Sequence, residues 1–359
     1  MIKKKILMVI DSMGIGGAEK VTLTLAKGFI KEGHSVDLVI CDNIVGFDIP
    51  SKIKLYRLNF QKSFMDYTRY RHKLHNLIKK IVETNQKEFD LILVNLQKST
   101  RLMSGYRHEK IFHIVHSTFS QSALKDKKGL KLFFRKRKLQ QIYNGLNIIT
   151  VSKGIEDDLL NMIDILPKSI QTIYNPVDVD ELCELSMKQQ IIPKDNYIVH
   201  IGRFSKVKRH DILLKAFQKI DLDVKLILVG DGEEKENIVQ LIDELNLNKR
   251  VVLLGFLQNP YPIMKHAKIL ILSSEYEGLP TVLIEALALD TLIISTDCKS
   301  GPREIMVNEL SNYLVKNKNI DALSNKINEV YTCPYLIKSS YIEPFILSNI
   351  LLKYRLLMQ

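Results

Sequence analysis

Cysteine is scarce in this chain, and long apolar runs are missing. The four cysteines, Cys41, Cys183, Cys298 and Cys333, have no paired spacing, which argues against a disulfide framework or a zinc site and is typical of a reducing cytoplasm. No run of about 18 apolar residues occurs, so the sequence predicts no membrane-spanning helix. The basic, apolar start of the chain is broken at Asp11 without a small-residue cleavage site, and we interpret it as a buried strand and not as a secretory signal.

Positive charge is distributed unevenly. Residues 1–190 contain 31 Lys and Arg against 20 Asp and Glu, whereas the remaining residues contain 21 against 20. The net charge of +12 therefore belongs almost entirely to the first half. Such a field indicates an anionic partner, either a membrane surface or nucleic acid. No helix-turn-helix, RNA-recognition or zinc motif accompanies the charge, so we expect an anionic membrane surface and no nucleic acid.

Two basic stretches, 66–82 and 125–143, interleave Lys and Arg with Tyr, Leu and Phe. Each pattern allows two interpretations. The stretch is either a solvated helix face above a hydrophobic core, or an interfacial surface that lies on anionic lipid. The sequence alone leaves this choice open.

The first half begins with strand, glycine turn, helix and strand, which is the opening of a doubly wound α/β domain. The dinucleotide fingerprint G-x-G-x-x-G is incomplete because Glu19 occupies its third glycine position, and this disfavours an NAD site. Further strands are expected over residues 54–58, 90–95, 111–116 and 147–151.

The second half repeats the alternation of strands and helices, with strands expected over residues 197–201, 224–229, 250–254, 270–273 and 292–295. The sequence therefore predicts an α/β protein of two Rossmann-like doubly wound domains that face a central cleft, with ligands at the carboxyl ends of the strands. The expected boundaries are 1–180 for the first domain, 181–195 for a linker, 196–340 for the second domain and 341–359 for a C-terminal helix that returns to the first domain.

Two carboxylates stand eight residues apart in the segment SEYEGLPTVLIEALALDTLIIST, residues 274–296. Glu277 lies in a turn, and Glu285 lies inside a helix that is expected to begin near Thr281. The free N–H groups of a helix start bind anions, and carboxylates accept hydrogen bonds from hydroxyls. A sugar attached to phosphate fits this arrangement, and a solvated Glu277 with Glu285 on a helix face is the alternative.

The segment GRFSKVKRHD supplies two cations after a strand of the second half. Arg203 can bind phosphate oxygens bidentately and Lys208 carries a mobile point charge, so the pair can neutralise a diphosphate without a metal. The alternative is a loop that is merely basic, because Lys206 and Arg209 flank the same site. His116 ends a strand of the first half at the edge where ligands are expected, although a lone histidine is more often structural.

Eight short motifs occur in a fixed order along the chain. They are GGAE at 16–19, HS at 116–117, NPVD at 175–178, G-R-x4-K at 202–208, GDG at 230–232, GF at 255–256, E-x7-E at 277–285 and SGPRE at 300–304. In this order they resemble the retaining glycosyltransferases of family 4, which have the GT-B fold, over nearly the whole chain. The runs EGLPTVLIEAL and TDCKSGPREI are similar to bacterial enzymes that build lipid-linked oligosaccharides and surface polysaccharides such as lipopolysaccharide and capsule.

This resemblance implies a donor site for a nucleotide sugar, UDP-linked by expectation. The four residues implied in catalysis are Glu277, His116, Arg203 and Lys208. The residues implied in donor binding are Gly16, Gly17, Arg203, Lys208, Glu277, Gly278, Leu279, Thr281 and Glu285. Within this set the two cations hold the diphosphate, Glu285 binds the ribose and Glu277 binds hydroxyls of the transferred sugar. No metal and no other cofactor are expected.

The resemblance also implies a reaction and a place. The expected activity is transfer of a hexose or N-acetylhexosamine, with retention at the anomeric carbon, to a lipid-linked or cell-surface glycan. The expected location is cytoplasmic, peripheral on the inner face of the plasma membrane. The alternatives are a soluble GT-B enzyme that acts on a small metabolite or sugar nucleotide, and a non-catalytic module that binds sugar nucleotides.

Overall fold

The structure is a computed structural model that describes residues 2–61, 66–189, 193 and 195–359. The chain forms two compact units. Unit 1 contains residues Met1–Pro176 and Leu347–Gln359, and unit 2 contains residues Val177–Ile346. Each unit is an α/β layer structure with one parallel sheet, as the alternation of strand and helix patterns predicts.

The sheet of unit 1 has the strand order β3-β2-β1-β4-β5-β6-β7 within the described residues. Its strands are β1 (Lys5–Ile10), β2 (Ser35–Ile40), β3 (Ile53–Arg57), β4 (Leu91–Asn95), β5 (Ile111–Val115), β6 (Asn147–Thr150) and β7 (Ser169–Thr172). All neighbouring strands run parallel. The order reverses between β1 and β4, and a ligand crevice forms at such a point in open α/β sheets.

The sheet of unit 2 has the strand order β10-β9-β8-β11-β12-β13. Its strands are β8 (Tyr197–Ile201), β9 (Lys225–Val229), β10 (Val251–Gly255), β11 (Ile269–Leu272), β12 (Leu292–Asp297) and β13 (Leu314–Lys316). These strands are parallel too, and the order reverses between β8 and β11. The two units thus repeat one topology.

Helices cover both sheets. In chain order they are α1 (Gly17–Lys31), α2 (Asp66–Asn85), α3 (Gln97–Leu102), α4 (Gly129–Tyr143), α5 (Lys153–Asp157), α6 (Val179–Ser186), α7 (His210–Gln218), α8 (Lys235–Glu244), α9 (Tyr261–His266), α10 (Thr281–Ala288), α11 (Pro302–Ile305), α12 (Ile320–Thr332) and α13 (Leu347–Leu357). In the described parts of the chain, no helix combines the length and the apolar character needed to cross a bilayer.

The central strands are apolar along their whole length because helices shield both faces of each sheet. All residues of β1, β4 and β11 are buried. In unit 2, Phe204 and Phe217 are fully buried in the core between sheet and helices. A continuous apolar run in the sequence therefore corresponds to a strand that is buried on both sides. The polar residues that follow each strand lie at the carboxyl edge of the sheet.

The predicted linker over 181–195 differs from the structure. Unit 1 ends at Pro176, and α6 occupies the first part of the predicted linker. The Asp178 side chain caps the start of this helix by accepting a hydrogen bond from the backbone N–H of Glu181. Asn259 holds the other end of α6 by donating from its side chain to the carbonyl of Leu185, 2.8 Å away. Residues 190–192 and 194 of the predicted linker lie outside the described residues.

The predicted C-terminal helix over 341–359 is shorter in the structure. Two 3₁₀ turns, Ser339–Tyr341 and Glu343–Phe345, precede α13, which begins at Leu347. Ile346, with φ −61° and ψ 134°, has an extended backbone that separates the second 3₁₀ turn from α13. The helix belongs to unit 1, where it packs on α1 with the rings of Tyr354 and Phe29 in edge-to-face contact at 5.9 Å.

Gly28 makes the close approach of α1 and α13 possible. A Cβ atom at this position would lie 2.9 Å from Leu351 Cδ1 and 3.0 Å from Leu347 Cδ1. We expect Gly28→Ala to be tolerated, because leucine methyl groups can shift and alanine regains about 1 kcal/mol of helix propensity. Gly28→Leu overfills the contact and should lower the free energy of unfolding by about 1–3 kcal/mol in urea titrations. Adding Leu351→Ala should restore part of this loss, and no restoration would show that the strain lies elsewhere.

Candidate functional site

An ion pair forms the centre of the candidate site in unit 2. Lys208 Nζ lies 2.6 Å from Glu277 Oε1, and both side chains are mostly buried. Ser274 Oγ donates a second hydrogen bond to the same carboxylate oxygen, also at 2.6 Å. A charge-assisted contact of this kind orders both side chains when it is shielded from water. The structure thus brings together two of the predicted catalytic residues, although 69 positions separate them in the chain.

The strand order of unit 2 explains why these residues meet. Lys208 follows β8 and Glu277 follows β11, and the two strands are parallel neighbours. Ser273, the first residue after β11, donates from its Oγ to the carbonyl of Lys208 at 2.7 Å. The carboxyl ends of neighbouring parallel strands emerge at the same sheet edge, so the ion pair lies at the point where the strand order reverses.

A second loop packs tightly against the loop that follows β8. Gly230 has φ +151°, and a Cβ atom there would lie 2.0 Å from the carbonyl oxygen of Gly202. Only glycine fits this backbone contact. The GDG motif therefore supports the shape of the loop that carries Arg203 and Lys208.

Arg203 is not part of the ion pair. Its guanidinium pairs with Glu233 at 3.0 Å, and the side chain is 74% exposed. The prediction placed Arg203 beside Lys208 at a diphosphate, but the structure directs it to the loop after β9 because that loop presents a carboxylate. Arg203 is consequently a cation on the surface of the site, while Lys208 is a cation inside it.

The turn before α10 holds the other predicted donor residues. Gly278, Leu279 and Thr281 form the approach and the first position of the helix, and Ser300 Oγ donates to the carbonyl of Gly278 at 3.1 Å. Glu277 lies immediately before this turn. Glu285 is the fifth residue of α10 and is buried, so it lies beyond the first turn of the helix and not at its start. Of the two predicted carboxylates, only Glu277 lies beside the helix start.

In unit 1, the predicted glycines open α1. Gly16 precedes the helix and Gly17 is its first residue. The side chain of Glu19 folds back over Gly16, where an added Cβ atom would lie 2.3 Å from Glu19 Oε2. Burial raises the pKa of Glu19, and the nearby charge of Asp11 raises it further. Asp11 itself accepts from the backbone N–H of Ser99 at 2.7 Å and so caps α3.

His116 lies at the carboxyl end of β5 and pairs with a residue at the end of β4. His116 Nε2 lies 3.0 Å from Asn95 Oδ1, and Asn95 is fully buried. With the amide oxygen as acceptor, Nε2 carries the proton and Nδ1 remains an acceptor. Burial lowers the pKa of His116 to about 4, so its ring is neutral at pH 7. Leu96, which follows Asn95 in the chain, has φ +70° and ψ 166°. This is a strained backbone conformation of a kind that clusters at functional sites.

Three further residues at the site, Asn95, Ser273 and Ser274, were not predicted from the sequence. All three directly end or follow a buried strand at the ligand edge of a sheet, and this position was the only signal that could have found them. Their hydrogen-bond partners could not be predicted from the sequence. Two of the contacts join residues that are distant along the chain, and the third, from Ser274 to Glu277, depends on the shape of a turn.

No group of three or more His, Cys, Asp or Glu side chains suited to a metal ion occurs among the residues that the structure describes. Cys298 lies near Glu277, and burial followed by the Glu277 charge raises the pKa of its thiol far above the usual range. This cysteine is therefore an uncharged, unreactive packing residue at neutral pH.

Comparisons with known proteins cover nearly the whole chain. Residues 15–181 match the family model described as "Glycosyltransferase Family 4", and residues 184–343 match the one described as "Glycosyl transferases group 1". The chain is 29% identical over 324 residues to the N-acetylgalactosamine-N,N'-diacetylbacillosaminyl-diphospho-undecaprenol 4-alpha-N-acetylgalactosaminyltransferase of Campylobacter jejuni subsp. jejuni serotype O:2, which covers 89% of this chain and 88% of that protein.

Two solved structures have a similar fold. A glycosyltransferase from Rickettsia africae ESF-5 superposes with a TM-score of 0.76 at 18% identity and covers 100% of this chain and 98% of that one. HepE from Anabaena, solved in complex with UDP, superposes with a TM-score of 0.73 at 20% identity and covers 98% of both chains. Both matches extend over the two units and their connections.

Two buried histidines lie beneath the loop that carries Lys208. The rings of His200 and His210 are 4.6 Å apart, and His200 Nδ1 lies 2.8 Å from the carbonyl oxygen of Ile271. Neither ring nitrogen of His210 has a hydrogen-bond partner among the described residues. Burial, with a smaller effect of the Lys208 charge, lowers the pKa of His210 to about 4. Both rings therefore support the loop in their neutral form.

We expect acid to destabilise unit 2 through His210. Its folded-state pKa lies below the unfolded value of about 6.5, so the unfolded chain binds the proton first and stability is lost as the pH falls from about 6.5 towards 4. Between pH 7 and about 4.5 this contribution is about 2–3 kcal/mol. His210→Phe keeps a ring that cannot be protonated, and urea unfolding at both pH values should show a correspondingly smaller acid effect. The exposed His266, replaced in the same way, is the control; equal acid sensitivity of His210→Phe and wild type would contradict the assignment.

Proposed function

We propose a specific reaction for this chain, which belongs to the glycosyltransferases of the GT-B fold, with a family 4 domain followed by a group 1 domain, and is an enzyme of the EC 2.4 class. We propose that it transfers a hexose or N-acetylhexosamine from a UDP-linked sugar, with retention at the anomeric carbon, to a lipid-linked or cell-surface glycan. The observation that carries this proposal is the Lys208–Glu277 contact of 2.6 Å at the reversal of strand order in unit 2.

In this proposal, Lys208 neutralises the diphosphate of the donor. Without ligand, Glu277 holds the ammonium in place, and Ser274 donates a hydrogen bond to the same oxygen of the Glu277 carboxylate. A bound diphosphate competes for the same ammonium, and Glu277 is then available to accept hydrogen bonds from hydroxyls of the transferred sugar. Negative charge develops on the diphosphate as the bond from its oxygen to the anomeric carbon breaks, so a fixed cation there stabilises the transition state.

The other donor contacts follow from position. The N–H groups at the start of α10, around Leu279 and Thr281, face an anion, and the buried Glu285 accepts from ribose hydroxyls. Arg203 supplies an outer cation that must exchange Glu233 for phosphate oxygens. These cations and the helix start together make a divalent metal unnecessary in the proposed reaction.

In unit 1, Gly16, Gly17 and His116 are proposed to contact the donor. The loop at Gly16 and Gly17 offers backbone N–H groups at the start of α1. Neutral His116, with Nε2 held by Asn95, offers Nδ1 as an acceptor for a hydroxyl of the sugar. The acceptor hydroxyl forms its new bond on the face of the anomeric carbon that the diphosphate leaves, and its proton passes to an oxygen of the departing diphosphate. This accounts for retention without a covalent enzyme intermediate.

The acceptor is proposed to be presented at a membrane. The relative from Campylobacter jejuni is named for a diphospho-undecaprenol-linked acceptor, and HepE was solved with UDP. Residues 1–190 carry nearly all of the net positive charge and would be attracted to anionic lipid. We therefore place the enzyme peripherally on the inner face of the plasma membrane, in the biosynthesis of a surface polysaccharide.

Lys208→Ala should cost about 2–4 kcal/mol of transition-state stabilisation, measured as kcat/KM for the donor sugar, because a fixed cation at the leaving group is lost. Lys206→Ala in the same loop is the matched control, since Lys206 is exposed and makes no part of the ion pair. Arg203→Ala should have a smaller effect because its side chain lies largely in solvent. Equal activity of Lys208→Ala and Lys206→Ala would remove Lys208 from the donor site.

Glu277→Gln should depress turnover while donor binding is largely kept. The amide retains the size of the carboxylate and a hydrogen bond with Ser274, but it loses the charge that orders Lys208. Comparison of kcat with the donor dissociation constant separates the two effects. Normal turnover of this variant would show that Glu277 does not contact the transferred sugar.

The test of the function itself is calorimetric titration of the protein with UDP-, GDP- and ADP-sugars in the presence of a chelator. Binding of one UDP-sugar would support the donor site, its independence of metal and the sugar class together. Binding of a small-metabolite acceptor without any lipid would favour the soluble enzyme. Failure of every nucleotide sugar to bind to folded protein would overturn the proposed function.

A further inference from the structure

The first two and a half turns of α4 are exposed to solvent on all sides. Among the residues of this helix, Leu139 and Tyr143 are buried, and both belong to its second half. The four apolar side chains of the first half are exposed by 75% at Leu130, 37% at Leu132, 54% at Phe133 and 64% at Phe134. Burial of such side chains is normally favourable, so four of them in water on neighbouring turns mark an interaction surface.

The second half of α4 holds this exposed segment rigidly on unit 1. The ring of Tyr143 packs against Phe119 at 5.3 Å. Gln140 Nε2 donates to the carbonyl oxygens of Ile163 and Asp164, at 3.0 and 3.1 Å. The exposed half is therefore the free end of an anchored helix and not a loose loop.

Apolar and basic side chains lie on adjoining faces of the exposed half. Leu130, Phe133 and Phe134 are spaced i, i+3 and i+4, which places them on one face of the helix. Exposed basic side chains at Lys131 and Lys138 lie on the next face, and exposed Arg137 lies on the apolar face itself, one turn beyond Phe133 and Phe134. Over residues 125–143 the chain has eight Lys and Arg and a single acidic residue, Asp126.

The other basic stretch has a different structure. In α2, the side chains of Tyr70, Leu74, Ile78 and Ile81 are buried, and they belong to one core cluster of unit 1. Its basic residues lie outside that buried stripe. The two helices therefore differ. The first interpretation, a solvated helix face above a hydrophobic core, applies to α2. It does not apply to the first half of α4, which has no core beneath it.

We propose that the exposed half of α4 docks the protein on an anionic bilayer. Leu130, Phe133 and Phe134 enter the boundary between headgroups and acyl chains, while Lys131 and Lys138 contact anionic headgroups. A bilayer interface accepts both sets at once, because it presents negative charge directly above apolar chains. Nucleic acid would satisfy the charges but not the exposed leucine. The inference rests on the proposed function in one respect: docking serves an acceptor that is itself in the membrane.

Vesicle co-sedimentation compares three variants. The vesicles contain phosphatidylglycerol and phosphatidylcholine in equal parts. Phe133→Ser with Phe134→Ser should lower the partition coefficient by about tenfold or more. Replacing Lys131, Arg137 and Lys138 by Gln should lower the partition coefficient roughly fivefold per charge at low salt. At high salt the same replacement should have little effect. The control replaces Arg69, Lys79 and Lys80 of α2 by Gln, which removes the same charge, and it should bind nearly as wild type does.

A fluorescence measurement tests insertion directly. The chain has no tryptophan, so Phe134→Trp introduces the only one. Its emission should shift to the blue with anionic vesicles and be quenched by lipids that carry bromine on their acyl chains. Phosphatidylcholine vesicles alone should produce neither change at low protein concentration. Emission that stays at the wavelength of exposed tryptophan, with the vesicles bound, would overturn insertion of this face.

Three outcomes would overturn the inference as a whole. The first is an absence of vesicle binding. The second is equal loss of binding in the α2 and α4 charge variants, which would attribute attraction to net charge alone. The third is a dimer, seen by sedimentation, that dissociates on replacement of Phe133 and Phe134, which would make the surface a contact between copies. Calorimetric binding of the donor in solution is measured separately, so loss of docking with intact donor binding would refute only the role of α4.

Discussion

The site depends on one geometric constraint, which is that neighbouring parallel strands end at the same edge of a sheet. In unit 2 this constraint places the segments after β8 and β11 side by side, and the Lys208–Glu277 contact follows from it. In unit 1 the same constraint places Asn95 and His116 together at the ends of β4 and β5. Each sheet is covered by helices on both faces, so its carboxyl edge is where polar side chains can emerge without interrupting the core.

Burial sets the charge state of the groups around that edge. His116 and His210 are neutral at pH 7 because their surroundings exclude water, whereas Lys208 and Glu277 offset each other's charge by direct contact. In unit 2, the Lys208 ammonium is therefore held in position, and the buried ring of His210 carries no positive charge that would repel it. The Lys208 ammonium is thus already ordered in the folded chain by its contact with Glu277.

Two basic stretches of similar composition occupy different structural environments in this protein. The stretches 66–82 and 125–143 are similar in composition, yet one covers a core and the other carries exposed phenylalanines. Spacing at i, i+4 and i+8 distinguishes them in retrospect, because Tyr70, Leu74 and Ile78 form a continuous stripe in α2. In α4 the apolar side chains face several directions, and only the packing of its second half showed which of them remain uncovered.

The sequence by itself determined the α/β class, the two parallel sheets and most of the central strands, because long apolar runs and glycine turns depend on local pattern alone. It also identified the family and the loops that carry the candidate site. It did not reveal the short strands β7 and β13, whose few residues are partly polar or exposed, or the end of unit 1 at Pro176. Only the tertiary structure decided that Lys208 pairs with Glu277 while Arg203 turns to Glu233, that Asn95 holds His116, and that α4 is left uncovered. These contacts join residues far apart in the chain, and their geometry depends on how strands and loops pack in space, which no local pattern records.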